Sequence, residues 1–145
     1  TTLNEIRTFD GKKESVRIKA DVLIKDVEVS KFQAVFFLGV DVADLFSTSN
    51  AAHTLRLVDR AKESGLVFTS MCGGQEALRR FDLLQGRRAA DPIYLPPNLR
   101  TPLVNQSKGI EWVKESVVVS GNVITVATPG DAEPFAETLA KMIKK

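Results

Sequence analysis

One cysteine lies where a strand pattern changes into a helix pattern, and its thiol is the clearest candidate for chemistry in this sequence. Residues 66–71 form a short β-prone run, Cys72 follows it, and Gly73-Gly74 lead into helical spacing at residues 75–81. A side chain at such a turn lies at the C-terminal end of a strand, beside helix N–H groups that favour an anion. The pattern therefore predicts a reactive thiolate at Cys72.

The same cysteine has a second interpretation, because an isolated cysteine often behaves as a small buried hydrophobic residue. Composition alone favours that interpretation, whereas the strand-turn-helix context favours a reactive thiol. A reactive thiol does not by itself establish turnover.

Other chemical groups are sparse. His53 is the sole histidine and falls in the first turn of a predicted helix, where a packing or solvent-facing role is expected. The sequence has no metal-ligand cluster, P-loop or dinucleotide fingerprint, so we expect neither a metal nor a cofactor. A single cysteine cannot form an internal disulfide, which suits the reducing cytoplasm.

Length and charge limit the functional classes. The chain has 145 residues, of which 43% are hydrophobic, so residues 1–145 are expected to form one domain. Its net charge of +2 gives no broad field for binding nucleic acid or an anionic membrane. The longest apolar run, residues 34–40, is too short to cross a bilayer, and the start does not resemble a signal peptide.

Strand and helix patterns alternate along the chain and predict an α/β layered domain. Ligands of such domains bind at the carboxyl ends of the strands, where Cys72 lies. The predicted elements are an exposed connection at 7–15, a strand over 16–24, a strand covered on both faces at 34–38, a helix over 50–64, a strand at 66–70, a helix to about Leu84, an irregular region at 91–102, β-prone runs at 112–119 and 122–126 around a hairpin turn, and a terminal helix from Pro134.

Four blocks together resemble the ThiJ/PfpI superfamily, which includes PfpI-type intracellular proteases and glyoxalase and deglycase-like proteins. The blocks are Lys19-Ala20-Asp21-Val22 to Val27, Ala34-Val35-Phe36-Phe37-Leu38-Gly39-Val40, Val67-Phe68-Thr69-Ser70-Met71-Cys72-Gly73-Gly74 with Ala77-Leu78, and Glu111-Trp112-Val113 through Pro129-Gly130.

The resemblance implies a flavodoxin-like three-layer sandwich with a mostly parallel sheet, a C-terminal hairpin and a C-terminal helix, as in class I glutamine amidotransferases. It makes Cys72 the nucleophile at a nucleophile elbow, and the backbone N–H groups of Gly73 and Val40 the oxyanion donors, with Gly39 in the same loop. It further implies a cytoplasmic homodimer acting on small aldehydes, glycated adducts or peptides.

The sequence departs from the family where acid-base help is expected. Gly73 stands where PfpI-type proteases carry histidine, and residues 91–96 lack the histidine of other members. Such help contributes on the order of 100- to 10,000-fold to a rate. Tyr94 and Asp91 are the available substitutes. Leu38 and Val40 also replace the proline and the second glycine of the usual loop.

Family members begin with a central strand and a helix that supplies an acidic partner to the cysteine, and both precede the part that corresponds to Thr1. We therefore expect an N-terminal segment absent from this sequence, or a second polypeptide, beside residues 16–40. Two functions stay open: a cysteine-dependent hydrolase or lyase acting on a carbonyl, and a non-catalytic module that serves redox sensing or dimeric regulation.

Overall fold

The computed structural model describes the backbone of residues 5–10, 13–40, 42–47 and 49–144, and within these ranges the side chains from Ile18 onward. The strands in this part of the chain are Glu5–Asp10 (β1), Lys13–Lys19 (β2), Ala34–Gly39 (β3), Val67–Cys72 (β4), Arg88–Ala90 (β5), Glu111–Val113 (β6), Val117–Ser120 (β7) and Val123–Val126 (β8). The α-helices are Ala51–Glu63 (α1), Gly74–Arg80 (α2), Pro97–Asn105 (α3) and Ala132–Ile143 (α4).

The principal sheet has four strands in the order β3-β4-β8-β7. β3, β4 and β8 run parallel, and Gly39 at the end of β3 pairs with Cys72 at the end of β4. β7 is antiparallel to β8 and joins it through the two residues Gly121-Asn122, with φ of 64° at Gly121. The mostly parallel sheet and the C-terminal hairpin are thus confirmed.

Helices cover both faces of this sheet and make the three layers. Val58 of α1 and Leu78 of α2 pack on the face that carries Phe68. Leu103 of α3 and Phe135 of α4 pack on the opposite face. Successive strand residues point to opposite faces. β4 is buried at every position, including the polar Thr69 and Ser70, so it is covered on both faces.

The predicted connection at 7–15 is wrong, because β1 and β2 form an antiparallel hairpin. Asp10 pairs with Lys13 across residues 11 and 12, which lie outside the described residues. The strand predicted over 16–24 ends at Lys19, and a 3-10 helix follows at Ile24–Asp26. Alternation of apolar and polar residues shows that a segment can form a strand. It does not show how far the neighbouring strand extends, and pairing stops where that neighbour ends.

Three further boundaries differ from the prediction. α2 ends at Arg80, and Asp82 adopts a φ of 55°, so the helix cannot reach Leu84. The irregular region contains α3, which begins at Pro97, where proline is compatible with the first turn of a helix, and which also includes Pro102 in its interior. The run at 112–119 is divided between β6 and β7, which belong to different sheets.

β3 was expected to be covered on both faces, and this is wrong for the described chain. Phe36 is 42% exposed and Leu38 is 63% exposed. β3 forms one edge of the four-stranded sheet, and no described strand pairs with its outer side. The further strand expected beside residues 16–40 stays a prediction.

None of the described helices is both long enough and apolar enough to cross a membrane.

The first residue of α2 lies in contact with the backbone of β3. A Cβ atom added to Gly74 would lie 1.9 Å from the carbonyl oxygen of Phe37 and 2.6 Å from its carbonyl carbon. Because both neighbouring atoms belong to a paired strand, a side chain could be accommodated only by moving the helix away from the sheet.

We expect Gly74→Ala to destabilise the fold by about 2 kcal/mol or more, because overpacking against backbone forces the helix and strand apart. Gly130→Ala is the matched control, since its nearest contact would be an ordinary 3.4 Å to Thr128 Oγ1. Urea unfolding of both variants measures the difference in their free energies of unfolding. Equal urea midpoints would contradict the close approach of Gly74 to the backbone of β3.

Candidate functional site

Cys72 is the last residue of β4 and has a φ of 56°, in the left-handed region. A residue with a side chain occupies this region at a cost of about 1–3 kcal/mol, and such residues concentrate at functional sites. The conformation turns the chain sharply, so that α2 begins only two residues later, at Gly74. The predicted strand, turn and helix are confirmed, with Cys72 at the turn.

The thiol itself is buried. Cys72 is 8% exposed and packs in a cluster that includes Met71, Leu95, Leu103 and Phe135. Burial raises the pKa of the Cys72 thiol above its usual range, and a hydrogen bond with the Gly73 backbone opposes this only in part. This increase in pKa is opposite to the lowered pKa expected of an activated thiolate.

The loop after β3 lies against Gly73. A Cβ atom at Gly73 would lie 2.1 Å from the carbonyl oxygen of Val40 and 2.6 Å from that of Gly39. The structure thus places Gly39, Val40 and Gly73 side by side. The donor role of the Val40 N–H stays a prediction.

The same contact explains why no histidine stands after the cysteine. The loop backbone occupies the space into which any side chain at Gly73 would project.

A cavity of about 230 Å³ opens beside Gly73. Its wall is formed by α2 with Gly73 before it, by α3 with Leu95 and Gln106 on either side, and by the segment after β3. The described lining residues are Val40, Val42, Ala43, Gly73, Glu76, Arg79, Arg80, Leu95, Asn98, Leu99, Pro102, Leu103 and Gln106. Cys72 adjoins this wall through its neighbour Gly73.

Glu76 holds two arginines at the cavity wall. Arg79 donates from Nε and Nη2 to the two carboxylate oxygens at 2.7 and 2.8 Å, and Arg80 donates from Nε at 2.6 Å. Burial would raise the pKa of Glu76, but the hydrogen bonds from Arg79 and Arg80 outweigh it and lower that pKa. Glu76 is therefore ionised at neutral pH.

Sequence reasoning missed this cluster, because adjacent arginines are usually solvated surface. The available signal was the spacing: Glu76 precedes Arg79 by three residues and Arg80 by four, which places both on its side of a helix.

The two substitutes proposed for histidine are not among the lining residues. Asp91 is buried and paired with Arg100, which donates to it from Nε at 2.8 Å and also from Nη2. The hydrogen bond that Arg100 donates to Asp91 raises the pKa of Arg100. Tyr94 is 68% exposed, although the next residue, Leu95, lines the cavity.

Two buried oxygens close to the turn have no hydrogen-bond partner in the described part of the chain. They are Ser70 Oγ, two residues before Cys72, and Gln75 Oε1, whose amide nitrogen donates to the Val126 carbonyl at 3.0 Å. Buried polar atoms normally form a hydrogen bond, so a further polar group would fit beside these two oxygens. The residues described here contain no group of three or more metal-ligating side chains.

The raised pKa predicts slow labelling of Cys72 by iodoacetamide. A higher pKa leaves less thiolate at a given pH, so the rate should be below that of glutathione at pH 7 and increase about tenfold per pH unit until the pKa is passed. Mass spectrometry of the alkylated protein from pH 6 to 10 gives the profile. Labelling at pH 6 that is faster than that of glutathione would contradict it.

Comparisons with known proteins agree with this architecture. The deglycase PfpI of Pyrococcus furiosus is 25% identical over 139 residues, which cover 91% of this chain and 75% of the relative. YraA of Bacillus subtilis, named as a candidate cysteine protease, is 30% identical over 139 residues, with 91% and 73% covered.

A solved structure from Anabaena variabilis, a two-domain protein with DJ-1/ThiJ/PfpI-like and ferritin-like domains, superposes with a TM-score of 0.72 at 27% identity. The match covers 94% of this chain and 37% of that protein. The model of the DJ-1/PfpI family matches residues 2–142. The strand, turn and helix around Cys72 are therefore found within a chain that belongs to the DJ-1/PfpI family.

Proposed function

We propose that this protein uses Cys72 to add to the carbonyl group of small aldehydes or glycated adducts, as a hydrolase or lyase of the glyoxalase or deglycase type. The observation that carries the proposal is the left-handed backbone of Cys72 at a strand end beside a cavity. A buried hydrophobic cysteine has no need of that conformation, which is costly for a residue with a side chain.

The first step is addition of the thiol across the carbonyl. The sulfur forms a bond to the carbonyl carbon, the π electron pair moves to the oxygen, and that oxygen takes up the proton lost by the thiol. N–H groups of Gly73 and Val40 would stabilise the negative charge on the oxygen while it lasts. With a raised thiol pKa and no imidazole in the cavity wall, turnover is expected to be slow at neutral pH.

Cavity size favours small substrates over peptides. Ligand sites for drug-sized molecules have volumes of about 300–1,000 Å³. The cavity here is about 230 Å³, which suits a compound of a few carbons or the end of a modified side chain. The deglycase name of the Pyrococcus furiosus relative supports the same choice.

A non-catalytic module is the second candidate, and burial of Cys72 favours it. The raised pKa of the thiol fits a structural cysteine better than a redox sensor, because oxidation begins from the thiolate. A regulatory module would then act through its surfaces.

We also propose a homodimer in the cytoplasm. The exposed apolar side chains of Phe36 and Leu38 on the edge strand support an association surface, and the single cysteine suits a reducing compartment. Light scattering measures the mass of the assembly directly.

The enzyme proposal predicts that methylglyoxal is consumed by the wild type and that Cys72→Ser loses at least about 100-fold in kcat/KM, since the nucleophile is removed. His53→Gln is the control, because this imidazole lies on α1, outside the cavity wall, and the variant should keep the wild-type rate. Consumption of methylglyoxal is followed by its absorbance. Equal rates for wild type and Cys72→Ser would contradict the enzyme proposal and favour the non-catalytic module.

A further inference from the structure

Carbonyl addition at Cys72 does not account for the charged wall of the cavity. Among its described lining residues, the charged side chains are Glu76, Arg79 and Arg80. Two guanidinium groups face one carboxylate, so this wall carries an excess of one positive charge.

Glu76 determines where that charge lies. An α-helix rises 1.5 Å per residue, so Glu76 is about 4.5 Å along the helix axis from Gly73. Arg79 and Arg80 start further along α2, but their hydrogen bonds bring both guanidinium groups back to the Glu76 carboxylate. The positive charge is therefore held near the end of the cavity where Gly73 lies.

Arg80 is also fixed on its other side, because its guanidinium lies over the ring of Phe46 at 4.6 Å from the centroid. Arg80 binds Glu76 through Nε, so its terminal nitrogens are not needed for that bond. The side chain of Arg79 is 25% exposed and that of Arg80 is 44% exposed. Partial removal from water strengthens the interaction of these groups with an anion.

The rest of the cavity lining complements this charge. Asn98 and Gln106 contribute amide groups from α3 and the residue that follows it, and Leu95 and Leu99 provide apolar surface. The cavity thus combines guanidinium and amide donors with a short apolar section, and Gly73, the neighbour of Cys72, lies in its wall.

We propose that the cavity selects carbonyl compounds that also bear a carboxylate, namely small aldehydic or 2-oxo acids. The carboxylate binds at the guanidinium groups of Arg79 and Arg80, and the carbonyl lies toward Gly73 and Cys72. Glu76 is a positioning residue, because it acts through the two arginines. This inference rests on the proposed carbonyl chemistry, whose substrate class it makes more specific.

The kinetic test compares glyoxylate, which has a carboxylate, with methylglyoxal, which does not. We expect Arg80→Gln to lower the ratio of kcat/KM for glyoxylate over methylglyoxal by about tenfold, which corresponds to about 1.4 kcal/mol. Arg80→Lys should keep most of the ratio, because the charge remains. Arg56→Gln, on α1 outside this cavity, should leave the ratio unchanged.

The second test does not need turnover. Iodoacetate is anionic and iodoacetamide is neutral, and both alkylate Cys72. We expect the iodoacetate-to-iodoacetamide rate ratio to exceed that of glutathione in wild type and to fall about tenfold in Arg80→Gln. Thermal unfolding of each variant separates loss of charge from loss of fold.

The two tests distinguish the failure of each proposal. Absence of turnover with an alkylation ratio that depends on Arg80 would overturn the enzyme and retain the anion-selective cavity. Turnover of both substrates with ratios unchanged in Arg80→Gln would retain the enzyme and overturn the anion-selective cavity. An alkylation ratio equal to that of glutathione in the wild type would also overturn it.

Discussion

The contact between the start of α2 and the backbone around β3 is the constraint on which the site depends. Gly73 and Gly74 lie so close to carbonyl groups of Phe37, Gly39 and Val40 that no side chain fits at either position. Two glycines permit this approach, because they lack a Cβ atom. The contact fixes the direction of α2, and α2 in turn carries the Glu76 cluster to the cavity beside Cys72.

Burial has opposite consequences for the two kinds of charge at this site. For Cys72, which is an acid, removal from water favours the neutral thiol and raises the pKa. For Arg79, which is a base, the hydrogen bond to Glu76 outweighs the removal from water and raises the pKa, so its charge remains. The site therefore presents a weakly acidic thiol beside a positive charge.

Local patterns predicted the elements that have a regular period and a clear boundary in the sequence. The helix over 50–64, the strand before Cys72, the β7-β8 hairpin and the terminal helix each have a clear period and a glycine or proline at a boundary. Prediction was wrong where the outcome depended on which segments pair and on how far the pairing extends. Residues 16–24 alternate throughout, yet only the part opposite β1 forms a strand.

The sequence by itself determined the position of the thiol, the strand, turn and helix that hold it, and the lack of histidine after it. Only the tertiary structure decided that the thiol is buried, that the loop at Val40 fills the space of the missing side chain, and that Asp91 is paired with Arg100. It also placed Arg79 and Arg80 in a cavity wall. The first group depends on neighbours along the chain, whereas burial and cavity lining depend on packing between segments far apart in sequence.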